Sequence, residues 1–203
     1  MTGNAFVFFV FAHSTTKVNG LSFRYKAGNF FQNNYYVLPL MVEHVVKEAT
    51  HGGGMTHLAD CYCGSGLFAI SAASHFDRVV GIEINDKAIA EATANAEANH
   101  VTNCEFLAAS AEHIFASLDN FPREQSAVVV DPPRKGCSEE FLQQLVAFGP
   151  ARVVYMSCDP TTQARDAAVL VKDGGYRIST VLPFDLFPQT RHIECLMILD
   201  RQG

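Results

Sequence analysis

From residue 57 onward, short apolar runs rich in Val and Ile alternate with stretches of helical periodicity. The pattern predicts strands over 57–62, 78–83, 103–108, 126–131 and 151–157, with helices near 67–75, 86–99, 110–118 and 138–148. Such alternation belongs to an α/β protein whose parallel sheet carries helices on both faces. After a further helix near 160–173, Gly174-Gly175 ends the periodic pattern. Two runs, 176–183 and 192–199, then follow with no helix between them, so an antiparallel pair is expected to close a mostly parallel, seven-stranded sheet. Upstream, 35–50 reads as a helix with Pro39 in its first turn. The Gly52-Gly53-Gly54 run reads as the loop into the first core strand. Residues 1–28 fit the repeating unit poorly. The chain is divided accordingly into an appendage, 1–27, left from a preceding domain, and a core domain, 28–203. The apolar run Ala5–Ala12 has no basic residues before it and no clear cleavage site, so it reads as a strand and not a signal peptide.

Composition narrows the classes. With 203 residues, 48% hydrophobic and 18% charged, the chain can bury one proper core. No apolar run approaches the ~20 residues that span a bilayer, so no membrane partner is expected. Six cysteines scattered through strand-like contexts point to reduced thiols and an intracellular, cytoplasmic or nuclear setting. Cys61-x-Cys63 lacks zinc spacing and has no second pair, so no metal is expected. A net charge of −6 argues against strong, unassisted binding of nucleic acid. The small basic groups Arg24-x-Lys26, Arg134-Lys135 and Arg191-His192 read as ordinary solvated surface on this evidence.

The chemistry-bearing residues sit where predicted strands end. The run Tyr155-Met156-Ser157-Cys158-Asp159-Pro160 places a thiol at a strand terminus, and Glu194 lies at a turn-to-strand junction. A thiol that attacks and a carboxylate that takes a proton form a working pair for covalent catalysis. The helix starting near Pro160 is expected to lower the Cys158 pKa through its N-terminal dipole. The other five cysteines are assigned to the core, and His192 to a structural or solvated role. Cys63-Gly64-Ser65-Gly66-Leu67 joins a strand to a helix through a glycine turn, and Glu83 ends the next strand, placed to accept from ribose hydroxyls. Gly64-x-Gly66-x-x-Ala69 satisfies a dinucleotide fingerprint but suits S-adenosylmethionine equally. The next rim segment, Asp131-Pro132-Pro133-Arg134, is donor-poor and fits a flat base or a sulfonium methyl. Base-amine methyltransferases follow such prolines with a stacking aromatic. Arg134 in that place counts against amine methylation.

Taken in order, Gly28-Asn29-Phe30-Phe31-Gln32-Asn33-Asn34, Asp60-Cys61-Tyr62-Cys63-Gly64-Ser65-Gly66, Ile82-Glu83-Ile84-Asn85, Asp131-Pro132-Pro133-Arg134-Lys135-Gly136, Ser157-Cys158-Asp159-Pro160 and Phe187-Pro188-Gln189-Thr190-Arg191-His192-Ile193-Glu194 resemble the RNA (uracil-5)-methyltransferase family. The resemblance covers about residues 20–203. It implies a Rossmann-like class I S-adenosylmethionine-dependent methyltransferase fold and formation of 5-methyluridine in RNA, tRNA by preference and ribosomal RNA second. It further implies that Cys158 attacks carbon 6 of uracil and that Glu194 removes the carbon 5 proton. Gln32, Tyr62, Gly64, Gly66, Glu83 and Asp131 would line the cofactor pocket, with Arg134, Arg191 and His192 toward the substrate. Leu67 stands where bacterial members often have asparagine, and Ser110 is a second departure at the cofactor. Family members commonly carry an N-terminal RNA-binding domain, which is expected in the full-length protein; the catalytic region itself is expected to be monomeric. Two other readings fit the same residues: another Rossmann-type enzyme that leaves the thiol idle, and a non-catalytic RNA-binding or regulatory module that keeps the pocket.

Overall fold

The computed structural model describes residues 13–26, 34–109, 114–118 and 120–202. In chain order the elements are β1 (His13–Val18), β2 (Leu21–Lys26), α1 (Leu38–Thr50), β3 (His57–Cys61), α2 (Leu67–Ala72), β4 (Arg78–Glu83), α3 (Asp86–Ala98), β5 (Cys104–Ala108), β6 (Ser126–Val130), α4 (Glu139–Phe148), β7 (Arg152–Ser157), α5 (Pro160–Gly174), β8 (Tyr176–Phe184) and β9 (Glu194–Arg201). Strands β3 to β9 form one seven-stranded sheet in the order β5-β4-β3-β6-β7-β9-β8. Its first five strands are parallel, and β9 runs antiparallel to both β7 and β8. The expected antiparallel closure is therefore present.

The central strands are buried on both faces, which explains their continuous apolar runs. Alternate residues serve opposite cores. Leu58, Val79, Ala127, Val129, Val154 and Met156 pack with α1 and α2. Ala59, Val80, Val128, Val130, Val153 and Tyr155 pack with α4 and α5. Buried Arg152, at the start of β7, donates to Asp200 of β9 at 2.7 Å and to the Glu48 carbonyl at 2.8 Å. The end of α1 is thereby fixed at the N-terminal edge of the sheet. Of the predicted helix at 110–118, the described residues show a 3-10 turn, Phe115–Leu118; residues 110–113 lie outside the described set.

Residues 13–26 form an antiparallel hairpin. Asn19 and Gly20 make its turn with φ of 48° and 88°, the left-handed pair that matches strand twist. Val18, Phe23 and Tyr25 join the same core as α1. The edge of β2 that faces away from β1 meets a helix. Asn99 accepts from Ser22 N and donates to Ser22 O, both at 2.8 Å, and Asn95 does the same with Arg24 at 2.8 and 3.0 Å. The match is metric: four residues rise about 6 Å in a helix, and two rise about 6.6 Å in a strand. Asn95 also donates to the Ser65 carbonyl at 3.0 Å, so one buried carboxamide joins the hairpin to the glycine turn. The boundary drawn at 27–28 falls outside the described residues.

Candidate active site

The sheet changes winding direction between β3 and β6, and ligands of open α/β sheets bind at such a switch point. After β3 the chain turns sharply through Tyr62 (φ 64°), Gly64 (φ 53°) and Gly66 (φ 87°), and α2 begins. A side chain on Gly66 would press on Ile70 at 2.9 Å, so that glycine serves close packing. One on Gly64 would meet nothing within 4 Å, which leaves bare backbone facing open space. The Asp60 carboxylate caps α2, accepting from Ala69 N at 2.8 Å, while its other oxygen is buried with no partner among the described residues. Glu83 accepts from Gly64 N at 3.3 Å and Asn85 N at 3.0 Å. Asp131 stands half-buried at the end of β6. Leu67 is 9% exposed and belongs to the core, so it offers no polar group at its position. Gln32 and Ser110 lie outside the described residues.

The antiparallel register of β7 on β9, ending at Ser157↔Cys195, brings Cys158 and Glu194 opposite each other at the next position. Gln163, 1% exposed, donates from its amide to both the Tyr155 and Cys195 carbonyls at 2.9 Å and locks these two strand ends together. Cys158 precedes α5, which is capped by Asp159 accepting from Thr161 N at 2.9 Å. Cys158 lines a cleft of about 250 Å³ with Arg134, Asp159, Pro160, Arg191, His192 and Ile193. Glu194 lies behind it, 3% exposed. The His192 ring meets Phe187 edge-on at 6.3 Å.

Arg134 reaches Cys158 because α5 grips the loop that carries it. Thr162 donates to the Arg134 carbonyl at 3.1 Å, and Arg165 to that of Lys135 at 3.0 Å. Fully buried Asp166 accepts from Cys137 N at 2.8 Å, Tyr155 OH at 2.7 Å and the Arg165 guanidinium at 2.7 Å. Gly136 (φ 76°) must lack a side chain, since a Cβ there would sit 2.6 Å from both Arg165 and Asp166. Sequence reasoning missed Thr162, Gln163, Arg165 and Asp166. On a helix such residues look like a solvated face, and only the packing of α5 under the loop reveals them.

Burial pushes the Glu194 carboxyl up to about 7, with Arg134 opposing. Asp131 is pushed up to about 8 by burial, then by Glu194 and Asp60. Asp60 rises to about 7 through burial, partly offset by its bond from Ala69. The Cys158 thiol is raised by burial and by Glu194, while Arg134 pulls it down. This corrects the expectation from the helix dipole: desolvation and the facing carboxylate outweigh it in the free protein. One consequence is a sign for stability. The folded chain holds protons on Asp60, Asp131 and Glu194 that the unfolded chain releases near pH 4, so stability contributed below that pH is lost as pH climbs through 7 and 8. Thermal unfolding of the ligand-free protein is expected to show a melting temperature that falls between about pH 5 and about pH 8. A rise across that interval would contradict the assignment.

The family model for tRNA (Uracil-5-)-methyltransferase matches residues 9–202. This chain belongs to that family. It is 41% identical over 196 residues to the tRNA (uracil(54)-C(5))-methyltransferase of Saccharomyces cerevisiae, covering 92% of this chain and 30% of that protein. With the Schizosaccharomyces pombe protein of the same name the identity is 40% over 190 residues, covering 89% and 36%. The chain thus spans about a third of the length of these curated relatives. The crystal structure of Pyrococcus abyssi tRNA (uracil-54, C5)-methyltransferase in complex with S-adenosyl-L-homocysteine superposes with a TM-score of 0.78 at 32% identity, covering 92% of this chain and 44% of that one. The architecture of this tRNA (uracil-5-)-methyltransferase family member is the class I methyltransferase fold expected from its sequence.

Proposed function

We propose that this chain is the catalytic region of an enzyme that methylates carbon 5 of a uridine in tRNA with S-adenosylmethionine. The observation that carries the reading is Cys158 facing Glu194 across the β7–β9 register, on the rim that also holds the glycine turn. Family membership and the names of the yeast relatives support the substrate class. The cofactor fits the residues present: open backbone at Gly64, a carboxylate at Glu83, an unpartnered oxygen on Asp60, and Asp131 beside them. When bound, S-adenosylmethionine supplies a methyl group made electrophilic by its sulfonium. Its positive charge would offset the burial that holds the Asp60 and Asp131 carboxyls protonated in the free protein.

Carbon 5 of uracil is a poor nucleophile. Addition of the Cys158 thiolate to carbon 6 forms a C–S bond and moves the C5–C6 π electrons onto carbon 5 and the oxygen of carbon 4, as an enolate. Carbon 5, so activated, would take the methyl from the bound donor, whose sulfur–methyl bond would break to leave S-adenosylhomocysteine. Glu194 takes the carbon 5 proton, the double bond re-forms, and the C–S bond breaks to return Cys158. A carboxyl near 7 is matched to proton removal at neutral pH. The thiol begins above its ordinary value, so Arg134 is the group that favours its charged form. The target base must leave its stack to reach both groups, and Arg191 and His192, which line the cleft, would receive it.

Intact-protein mass after incubation with S-adenosylmethionine and 5-fluorouridine-substituted tRNA tests the reading. Fluorine cannot leave as a proton, so the enzyme is expected to stall as a methylated protein–RNA adduct. Absence of that adduct at saturating tRNA would overturn the proposal.

A further inference from the structure

The turn before α1 holds two tyrosines in solvent. Tyr35 is 61% exposed, Tyr36 is 91% exposed, and Leu40, one helical turn on, is 55% exposed. On the same helix Leu38, Met41, Val42 and Val45 are no more than 1% exposed. The apolar content of the outer stripe is therefore surplus to the core. Its position follows from topology. The last turn of α1 is pinned at the N-terminal edge of the sheet by Arg152, so its first turn stands at the opposite edge, where β7 delivers Cys158. Side-chain bonds fix it there. Asn34 donates to the Leu186 carbonyl at 3.0 Å and accepts from Tyr36 N and Val37 N at 3.1 Å. Leu186 belongs to the β8–β9 connection that carries Arg191 and His192 into the cleft. That connection is itself braced, with Thr190 Oγ1 donating to the Phe187 carbonyl at 2.7 Å and accepting from His192 N at 3.1 Å. Below it, His44 of α1 packs on Phe184 with ring centroids 5.6 Å apart. The tyrosines and the cleft thus share one fastened rim.

We infer that Tyr35 and Tyr36 form a stacking platform for an unpaired base of the RNA, next to the uridine that enters the Cys158 cleft. The inference rests on the proposed function. A tyrosine has only two side-chain torsions to fix on contact, and every nucleobase offers a π-face to it. Charge points the same way. The chain carries a net −6, and the cleft contributes only Arg134 and Arg191 as arginines among its lining residues. Phosphate neutralisation on this rim is therefore limited, whereas stacking needs no net charge. The tie through Asn34 to the loop that lines the cleft selects RNA over a protein as the occupant.

The test uses the full chain with a tRNA-derived oligonucleotide carrying 5-fluorouridine at the target and 2-aminopurine at a neighbouring position. Wild type is compared with Tyr36→Ala, Tyr36→Phe and Tyr36→Leu. Stacking quenches 2-aminopurine, so wild type and Tyr36→Phe are expected to quench it on binding. Tyr36→Ala and Tyr36→Leu should lose the quench and need on the order of tenfold more RNA for half-maximal adduct formation. The S-adenosylmethionine dependence and the adduct rate at saturating RNA should hold. Alanine within twofold of wild type would overturn the inference while leaving the function standing. So would a leucine variant that behaves as wild type, since plain apolar contact would then suffice. No adduct with wild type at saturating RNA would remove both.

Discussion

Replacing Cys158 by alanine is expected to abolish methyl transfer, with a loss on the order of 10⁴-fold or more, as when other covalent nucleophiles are removed. The chemistry leaves no substitute. Cys61, Cys63, Cys137 and Cys195 are buried, and burial raises each of their thiols. Cys104 is on β5, at the far edge of the sheet from β7. The 5-fluorouridine adduct should vanish with the activity. The fold should not suffer, because Cys158 is partly exposed at a strand end and the bonds around it run from Ser157, Asp159 and Gln163. Cofactor affinity by calorimetry should stay near wild type. Methylation by the alanine variant within tenfold of wild type would show that carbon 5 is activated some other way.

The Glu194→Gln variant should fail later in the cycle, and more informatively. Glutamine has the shape of the protonated acid but cannot take a proton from carbon 5. Thiolate addition and methyl transfer precede that step, so ordinary uridine should now accumulate as a methylated adduct on Cys158. Turnover should drop by roughly 10² to 10⁴. Gel shift under denaturing conditions and intact mass read the result without a fluorinated base. Free turnover at the wild-type rate would dismiss Glu194 as the base. A variant that neither turns over nor accumulates adduct would place the carboxylate before methyl transfer.

Sequence pattern was informative where one residue type has few uses. Val-Val-Val-Asp-Pro-Pro at the end of β6 could only be a buried strand meeting a rigid rim. Glycines with a carboxylate after the next strand predicted a tight turn of open backbone beside Glu83, and the structure has that turn. Cys158 and Glu194 stood out as a thiol and a carboxylate at predicted strand ends, and their opposition follows from the β7–β9 register. Three things were hidden for physical reasons. The hairpin at 13–26 was signalled by Asn19-Gly20, but its short polar strands lack the apolar run that draws attention. The grip of Thr162, Gln163, Arg165 and Asp166 is tertiary, and its residues are those of any soluble helix. The direction of the thiol shift needed a neighbour from a distant strand. The helix start was visible at Pro160, whereas the burial and the carboxylate opposing its dipole were not.

The amide clasp on α3 changes what counts as the smallest working unit. A helix here does a strand's job, and Asn95 is shared between the hairpin edge and the Ser65 carbonyl. Any chain trimmed to begin at residue 28 would strip that carboxamide of two of its three bonds. It would also uncover the core that Val18 and Phe23 seal. Residues 13–26 thus belong to the same folded unit as the glycine turn. The Asn95 carboxamide therefore couples the hairpin edge directly to the glycine turn.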